Sequence, residues 1–465
     1  MKILMLNPPY EHQIMRRFIS TYYAPNFLLP PYELMSLGTI AIQWKKADVI
    51  LIDAIAEKLN LENIIEFIKK YEPEILVSMP GFESFSSDIE SLSCIKKIFP
   101  QIKIIIVGYL PSIFPEEILS STNIDIIIRG EPELIFSYLY DLLEKRVSFK
   151  TLLGISFRDS DKIIHNPPAP RINELDNLPF PDPNLINLKS YREPYLGSPM
   201  MAFYASRGCS GSCIYCVKSF GARIYYASPE IIVKKLKWYK NSFKINNFRF
   251  LDDNFTSDKN QAIEICQRII EQKLNISWSC LSRIDTLDYE LVMNMKNAGC
   301  KRIYLGIESG SDRILKLYNK KYTAFDIKSK MSLLKTSGLD FSAFFIVGAP
   351  SETEEDLKLS INMAIDINFD FIIVTRLKFI PGTELFEQYK DKIEFSLFPY
   401  KVTFKLPLYE QNTLEWEKQF YYKFYFRYGF YLKKLKLLFF APINILRSAY
   451  FLIKFLKNDS KRDFI

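Results

Sequence analysis

Short apolar runs alternate with amphipathic stretches over the first third of the chain. Five runs rich in Ile, Leu and Val fit buried strands, and the segments between them repeat apolar residues at the spacing of a helix face. Apolar strands separated by helices are typical of a parallel sheet covered on both faces. The pattern predicts a doubly wound α/β domain over residues 1–150, with strands at 2–7, 48–53, 74–80, 103–108 and 124–130.

A ligand-binding edge follows from this prediction, because doubly wound sheets bind ligands beyond the carboxyl ends of their strands. Glycine, proline and polar residues stand at those ends in this chain. Each of them also has a plain structural interpretation, as a residue that turns the chain. The candidates for the ligand edge are Asn7, Pro8, Ser78, Gly108, Gly130 and Glu131.

The pattern changes twice farther along the chain. Residues 151–199 are rich in proline and lack apolar periodicity from position 166 onward, which indicates an extended linker. Residues 200–400 resume the strand–helix alternation about six times and predict a partial α/β barrel, whose active site lies at the carboxyl ends of its strands. In residues 401–465 aromatic and basic residues dominate, which predicts a helical tail.

Composition places the chain among globular proteins. Its 465 residues are too many for one hydrophobic core, so several domains are expected. Four of the seven cysteines are scattered singly, which excludes a disulfide framework and fits a reducing compartment. We see neither a signal peptide nor the roughly 18 uninterrupted apolar residues of a membrane-spanning helix, and we expect a cytoplasmic protein.

The net charge of +8 is concentrated in the tail. Residues 411–465 contain eleven Lys and Arg against four Asp and Glu, which accounts for seven of the eight charges. A basic excess confined to one tail argues against a nucleic-acid groove through the fold, so we expect no nucleic-acid partner. The aromatic and basic tail favours a lid on the barrel, and its second interpretation is peripheral contact with the inner face of the membrane.

Three cysteines, Cys209, Cys213 and Cys216, stand within eight residues at the spacing C-x3-C-x2-C. Thiolates from one short loop suit a cubane iron–sulfur cluster, and Gly208 and Gly211 let the backbone fold tightly around it. Three protein ligands leave one iron open to a small molecule. Tetrahedral zinc is the alternative, although zinc normally recruits a fourth Cys or His, and both histidines of the chain lie far away in sequence.

The loop resembles that of the radical S-adenosylmethionine (SAM) superfamily, in which an aromatic residue, here Tyr215, precedes the last cysteine. Further motifs fall in the order seen in the cobalamin-binding branch, which includes the anaerobic magnesium-protoporphyrin monomethyl ester cyclase and the hopanoid and phosphinate methylases. The resemblance runs from about residue 2 to about residue 435. Its motifs are "LMLNPP", "PPYELMSLGTIA", "IRGEPE", "LDNLPFPDP", "YASRGCSGSCIYC", "FLDDNFT", "WSCLSRID", "IYLGIESGSDRIL", "VGAPSETEEDL" and "FIPGTEL".

The resemblance implies a Rossmann-like, flavodoxin-like cobalamin domain joined to a radical SAM barrel. It implies that Cys209, Cys213 and Cys216 hold a [4Fe–4S] cluster and that SAM binds the open iron. Reductive cleavage of SAM would give a 5′-deoxyadenosyl radical that abstracts hydrogen from an unreactive C–H bond, with a flavodoxin or ferredoxin as the electron donor. In such enzymes the cofactors supply the difficult chemistry and the protein positions them.

The resemblance also implies roles for residues at the barrel strand ends. Asp252 and Asp253 stand where the superfamily places polar groups for the methionine amine, although a helix N-cap is the structural alternative. Arg283 lies in the strand that often supplies a partner for the SAM carboxylate, and a surface ion pair is its alternative. Glu308 ends the next strand, where a buried carboxylate needs a reason.

The sequence departs from the branch at two places. The cobalt-binding pattern D-x-H-x-x-G is absent and His12 is interpreted as a loop histidine, so cobalamin is expected to bind without a histidine ligand. Gly108 is followed by Tyr109 where relatives often have a second glycine, and "GEPE" replaces the usual "GEGE". Loss of cobalamin binding with retention of the fold is the alternative.

These features lead to one functional hypothesis and three rivals. The hypothesis is an enzyme that transfers a methyl group, by a cobalamin-dependent radical reaction, to an unactivated carbon of an apolar small molecule. The enzymatic rival is radical oxidation, cyclisation or C–C coupling on a lipid or tetrapyrrole-like substrate. A cluster-bearing sensor or scaffold is the non-enzymatic rival. A tRNA methylthiotransferase would need further cluster cysteines in the N-terminal domain, where Cys94 stands alone.

Overall fold

The computed structural model describes residues 1–17, 20–23, 27–160, 162–193, 195–405 and 409–427. These residues form two α/β units, each built around one large sheet. Most of the predicted tail, residues 428–465, lies outside the described residues. Its predicted helices therefore stay a prediction.

The first unit contains a seven-stranded sheet and a separate hairpin. Its strands are β1 (Lys2–Asn7), β2 (Ile14–Arg17), β3 (Ser20–Tyr23), β4 (Asp48–Asp53), β5 (Ile75–Ser78), β6 (Lys103–Ile106), β7 (Ile126–Ile128), β8 (Ile155–Asp159) and β9 (Lys162–His165). The sheet order is β4-β1-β5-β6-β7-β8-β9, and β2 pairs only with β3. The first five strands are parallel, and β8 and β9 are antiparallel. Counted along the chain, the parallel strands have the flavodoxin-like order 2-1-3-4-5, with the switch point between β1 and β5.

Helices cover both faces of this sheet, as the apolar strands predict. The helices are α1 (Tyr32–Lys45), α2 (Ala54–Glu57), α3 (Leu61–Tyr71), α4 (Phe85–Ile98), α5 (Tyr109–Ile113), α6 (Pro115–Ser121) and α7 (Pro132–Glu144). Alternate residues of β1 point to opposite faces of the sheet. Ile3 and Met5 belong to the core that contains α1 and α7, whereas Leu4 and Leu6 belong to the core that contains α3 and α4.

The predicted linker differs from the structure at its beginning. Residues 155–165 of the segment 151–199 form β8 and β9 and extend the first sheet. Ile155 and Phe157 of β8 are buried in the same core as α7, and this burial holds β8 against the sheet. The expectation missed them because each strand is short and only β8 has strongly buried apolar positions.

The rest of the linker runs over both units. Three 3-10 turns, Leu175–Asn177, Pro183–Leu185 and Leu188–Ser190, interrupt it. Near its end the fully buried carboxylate of Glu193 accepts hydrogen bonds from the Tyr304 hydroxyl at 2.6 Å and from the Ser279 hydroxyl at 2.8 Å. The linker is therefore anchored inside the second unit.

The second unit is built around a parallel sheet of six strands. The strands of this unit and its two hairpins are β10 (Met200–Phe203), β11 (Ser206–Arg207), β12 (Tyr225–Tyr226), β13 (Asn247–Phe250), β14 (Ser277–Ser282), β15 (Cys300–Glu308), β16 (Asp340–Val347), β17 (Phe371–Arg376), β18 (Ile393–Leu397) and β19 (Tyr400–Phe404). Neighbours in the sheet follow chain order, β10-β13-β14-β15-β16-β17. This arrangement is the predicted partial barrel. Its helices are α8 (Pro229–Phe243), α9 (Lys259–Glu271), α10 (Tyr289–Asn297), α11 (Asp312–Leu317), α12 (Ala324–Leu334), α13 (Glu354–Ile367), α14 (Glu384–Gln388) and α15 (Tyr409–Tyr425).

The described part of the predicted tail is a strand followed by a helix that covers the barrel edge. β19 occupies residues predicted as helix, because it pairs with β18 in an antiparallel hairpin. On α15 the Tyr425 hydroxyl pairs with both the N–H and the carbonyl of Ile372, each at 3.0 Å. The Tyr421 hydroxyl pairs in the same way with Val374. Two tyrosines thus satisfy backbone groups of the outer strand β17. Across the described ranges, every helix is too short or too polar to span a bilayer.

Candidate active site

The three clustered cysteines lie on a hairpin loop that leaves the carboxyl end of β10. Strands β11 and β12 form the stem of this loop, with Arg207 opposite Tyr225. Gly208 has a φ of +106°, and a Cβ added there would lie 2.3 Å from the Arg223 carbonyl oxygen. Only glycine fits this crossing without moving the backbone. The Cys209 amide then donates to the Gly221 carbonyl at 3.2 Å and closes the loop at its base.

Hydrogen-bond donors lie close to the cysteine sulfurs. The Gly211 amide is 3.4 Å from Cys209 Sγ, and Arg283 Nη1 is 3.7 Å from Cys213 Sγ. Burial raises the pKa of the Cys209 thiol, and Asp253 and Cys213 act in the same direction, whereas the Gly211 amide and Arg283 lower it. Within the described ranges no three His, Cys, Asp or Glu side chains are already grouped as a metal site.

The tip of the cysteine loop is attached to a residue that follows α11 and to helix α14. The Asn319 side chain donates to the Ser212 carbonyl at 2.9 Å, and the Leu385 amide donates to the Ile214 carbonyl at 2.9 Å. The Ile214 side chain is buried in an apolar cluster that also contains Leu385. The loop is therefore held from three sides, as a rigid cluster cradle requires.

A cubane cluster fits this loop better than zinc does. Three cysteines on one closed loop, an amide and a guanidinium directed at sulfur, and a glycine whose added Cβ would lie 3.3 Å from Cys209 Sγ all match a cluster with one free metal corner. Zinc would need a fourth ligand. The two histidines do not supply it, because His165 bonds to Ser156 and Glu116 in the first unit, and His12 lies beside Glu11 in the loop after β1.

The two predicted aspartates differ in their surroundings. Asp252 is 1% exposed, and its carboxylate accepts from the Ala205 amide at 3.0 Å and the Ser206 hydroxyl at 2.5 Å. Burial raises the pKa of Asp252 to about 6, although these hydrogen bonds lower it. Asp252 therefore ties β13 to the stem of the cysteine loop. Asp253 is half-buried and near enough to the thiols to raise the pKa of Cys209.

Arg283 reaches the cysteine loop from the end of β14. Its Nε and Nη2 atoms donate to the two carboxylate oxygens of Asp285 at 2.9 and 2.7 Å. This fork fixes the guanidinium and leaves Nη1 facing Cys213. The ion pair expected as the structural alternative is thus present, and the same side chain also faces the proposed cluster.

Glu308 is paired with a lysine, Lys320, that the sequence motifs do not single out. Lys320 Nζ lies 3.1 Å from Glu308 Oε1, and both side chains are less than 10% exposed. Glu308 has a φ of +68°, an unusual conformation for a residue with a side chain. Burial and the Glu308 charge raise the pKa of Tyr215, which places that aromatic residue beside the pair. The one signal in the sequence was the need of a buried carboxylate for a cation.

The candidate residues of the first unit meet at one edge of its sheet. Asn7 and Ser78 end β1 and β5, the two strands on either side of the switch point. Ser78 is fully buried, and its hydroxyl has no hydrogen-bond partner within the described ranges. Gly130 has a φ of +80° and faces open space, since an added Cβ would meet nothing within 4 Å. Gly130 therefore offers room for a ligand at this edge, whereas the Ser78 hydroxyl is covered by the protein.

Part of that edge is occupied by a buried network that the sequence did not predict. Asn7 donates to Asp53 at 2.7 Å and accepts from Arg16 at 3.0 Å. Arg16 also donates to the Pro8 carbonyl at 3.0 Å and forms a forked ion pair with Asp88 at 2.6 and 2.8 Å. Asn7 and Pro8 are thus held by the protein itself. Arg16 comes from β2, in the hairpin that the apolar pattern did not predict.

The carboxyl edges of the two sheets contact each other. The Tyr109 hydroxyl donates to the Pro381 carbonyl at 2.7 Å, and Lys378 pairs with Glu83. Burial raises the pKa of Tyr109 to about 12, and the charge of Cys216 acts in the same direction. Gly108, at the end of the fourth parallel strand, therefore directly precedes a residue that contacts the loop after β17. The two edges predicted to carry chemistry lie side by side.

Comparison with known proteins places this arrangement in a family. A model of the radical SAM superfamily matches residues 203–364, which include the cysteine loop. An uncharacterized methyltransferase of Pyrococcus horikoshii is 33% identical over 391 residues, which are 83% of this chain and 83% of that protein. The chain belongs to the radical SAM superfamily. The predicted SAM and [4Fe–4S] cofactors of this radical SAM enzyme are thereby confirmed at the level of the family.

Other relatives of this radical SAM enzyme agree with the branch that the motifs indicate. The anaerobic magnesium-protoporphyrin IX monomethyl ester cyclase of Cereibacter sphaeroides is 27% identical over 79% of this chain and 61% of its own length. The cobalamin-dependent radical SAM enzyme OxsB has a similar fold, with a TM-score of 0.65, 20% identity, 84% coverage of this chain and 55% of the OxsB chain. TsrM from Kitasatospora setae, solved with cobalamin and a [4Fe–4S] cluster, has a TM-score of 0.66, 14% identity and coverages of 84% and 74%. The predicted fold class is therefore confirmed.

Proposed function

We propose that this protein is a cobalamin-dependent radical SAM methyltransferase. The observation that carries the proposal is the contact of the first unit with the stem of the cysteine loop and with the loop after β17. Arg207, two residues before Cys209, donates to Glu131 of the first unit at 2.9 Å, and Tyr109 of the first unit donates to the Pro381 carbonyl of the second at 2.7 Å. Two cofactors held at these edges would face each other, as a methyl transfer that uses both of them needs.

In this proposal Cys209, Cys213 and Cys216 bind the cluster, and SAM binds beside them. We propose that Asp253 and Arg283 contact its amine and carboxylate, and the support is that both side chains lie near the cysteine thiols. When bound, the cluster supplies the electron that cleaves SAM to methionine and a 5′-deoxyadenosyl radical, and methylcobalamin supplies the methyl group. Asp252 keeps the stem of the loop in place.

Cobalamin is proposed to bind at the switch point of the first sheet. The support is the open space at Gly130 and the position of Gly108 at the same edge. His165 is bonded to Ser156 and Glu116, His12 in the loop after β1 lies 3.4 Å from Glu11, and the sequence lacks the D-x-H-x-x-G pattern that supplies a cobalt ligand. Binding without a histidine ligand is therefore part of the proposal.

The substrate class, the electron donor and the membrane contact are proposed from the sequence. We propose an apolar small-molecule substrate, reduction by a flavodoxin or ferredoxin, and contact of the aromatic and basic tail with a membrane surface. The buried position of Phe420 and Phe424 shows that the described part of the tail packs on the barrel. Membrane contact is therefore assigned to residues 428–465.

The experiment is anaerobic reconstitution followed by reduction in the presence of SAM and cobalamin. The proposal expects iron and sulfide in cluster stoichiometry, a corrinoid that co-purifies with the protein, and formation of 5′-deoxyadenosine together with a methylated product. Iron without bound corrinoid, and 5′-deoxyadenosine with a product that has gained no carbon, would instead favour oxidative cyclisation. The 27% identity to the cyclase over 79% of the chain is the observation that keeps this second function in view. Zinc in place of iron would contradict both.

A further inference from the structure

Arg207, two residues before the first clustered cysteine, is buried against carboxylates of the other unit. Its guanidinium is 2% exposed. Nη1 donates to Glu131 at 2.9 Å and to Glu133 at 3.2 Å, and Nη2 also pairs with Glu133. Both carboxylates are less than 5% exposed. The base of the cysteine loop is thus joined to the first unit by a buried ion pair with two acids.

A second arginine, Arg171 of the linker, reinforces the same junction. Its Nε donates to Glu131 at 3.2 Å. Its other nitrogens donate to the carbonyls of Arg223 at 2.5 Å and Arg207 at 3.3 Å, which lie on the two sides of the loop stem. Glu131 therefore pairs with Arg207, which belongs to the stem, and with Arg171, which also bonds to both sides of the stem. The four side chains form a closed set, here named the stem cluster: Arg171, Arg207, Glu131 and Glu133.

The stem cluster has little freedom to rearrange. Arg207 also lies over the rings of Phe220 at 5.0 Å and Tyr204 at 5.4 Å, so apolar groups surround the charge. A buried charge that loses its partner destabilises a fold strongly. Glu131 directly follows the positive-φ residue Gly130, and Glu133 lies in the first turn of α7, where a negative charge is favoured. The pairing therefore fixes the distance between the end of β7 and the cysteine loop.

We propose that the stem cluster is a positioning device, through which the cobalamin-type domain sets the place of the cluster loop. Glu131, expected from the sequence to contact a cofactor, acts on this view through Arg207 and Arg171. The inference rests on the proposed function for the identity of the cluster ligands. It adds that the first unit contributes to the cluster site directly, and that Arg207, Glu131 and Glu133 are needed for its geometry.

The first test measures amide hydrogen exchange in the full chain and needs no metal. Glu133→Gln should speed exchange of the loop stem, residues 206–226, and Arg207→Lys should give a smaller increase because the charge stays and the fork is lost. Asp125→Asn is the matched control. It removes one partner of the Lys96 ion pair, 2.8 Å long, at the amino end of the same sheet. Stem exchange equal to wild type in both stem-cluster variants would overturn the inference.

The second test measures the midpoint potential of the reconstituted cluster by EPR. Glu133→Gln should shift it, because the stem that sets the place of the cysteine ligands is no longer fixed. Arg207→Lys should leave the midpoint potential near the wild-type value. This variant should still form 5′-deoxyadenosine more slowly at normal iron content, and that rate serves as the readout if Glu133→Gln does not fold. An unchanged potential in a folded Glu133→Gln variant would contradict the inference. A wild-type protein that binds no iron would refute the proposed function. The hydrogen-exchange experiment would still decide the inference about the stem cluster, because it needs no metal.

Discussion

Lys320 and Glu308 form a buried ion pair at the carboxyl end of β15, with 3.1 Å between Nζ and Oε1. The pair lies next to Tyr215 of the cysteine loop, because Lys320 is 5.7 Å from the centre of that ring. Two charges out of water are tolerated only as a pair. The pair therefore couples the strand end to the loop that carries the cysteines.

Removing one partner of this pair is expected to destabilise the protein strongly. Lys320→Met leaves the Glu308 carboxylate buried and alone, and we expect a loss of about 3 kcal/mol in the free energy of unfolding. The double variant Lys320→Met, Glu308→Gln should recover part of it. Urea unfolding of the two single variants and the double variant measures the coupling. Additive losses would show that the pair is not an energetic unit.

Replacing one clustered cysteine should remove the cluster and leave the fold intact. Cys213→Ala takes away the sulfur that faces Arg283 Nη1 at 3.7 Å. We expect loss of the brown sulfur-to-iron absorption and of 5′-deoxyadenosine formation, with an unchanged circular dichroism spectrum. Cys94→Ala, on helix α4 of the first unit, is the control and should keep both. Full iron content in Cys213→Ala would show that this thiol is not a ligand.

The raised pKa of Asp252 predicts a specific dependence of stability on pH. Burial raises the pKa of this carboxyl from 3.8 to about 6 in the folded protein. Between these two values the folded state binds the proton more tightly than the unfolded state, so stability is highest below about pH 4 and falls as pH rises toward 6. The contribution is of the order of 3 kcal/mol. Asp252→Asn should lack this fall, which denaturant titrations of both proteins from pH 4 to 7 would reveal. Parallel curves would contradict the shift.

The Tyr425 hydroxyl, which pairs with the backbone of the outer strand β17, should contribute measurably to stability. Tyr425→Phe leaves the N–H and the carbonyl of Ile372 without their partner, and we expect a loss of about 1–3 kcal/mol. Tyr422→Phe is a matched control, since Tyr422 is 60% exposed on the same helix. Thermal unfolding of the two variants should differ. Equal midpoints would mean that water replaces the hydroxyl at no cost.

Removal of residues 428–465 should weaken binding to anionic vesicles and preserve the fold. The cut lies beyond the residues of α15 that pack on the barrel, so Tyr421 and Tyr425 remain in place. Most of the basic excess of the chain is lost with the segment. Co-sedimentation with phosphatidylserine vesicles measures the effect. Pelleting equal to that of the full chain would rule out membrane contact through the tail.

The sequence by itself determined the features that depend on local order. The apolar runs predicted the five parallel strands of the first sheet because a strand buried on both faces must be apolar along its whole length. The spacing of Cys209, Cys213 and Cys216 put three thiols on one loop, since eight residues cannot extend far. The hairpins β2–β3 and β18–β19 were missed, because their strands are short and carry no long apolar run.

Tertiary structure alone decided which buried charges meet. Arg207 and Glu133 are 74 positions apart, Asn7 and Asp53 are 46 apart, and Tyr304 and Glu193 are 111 apart. Local patterning carries no information about such pairs, because a charge in an otherwise apolar stretch looks the same whether it is buried or exposed. Only the packing of the two sheets at their carboxyl edges excludes water there. That exclusion makes each charge require the particular partner that the fold brings to it.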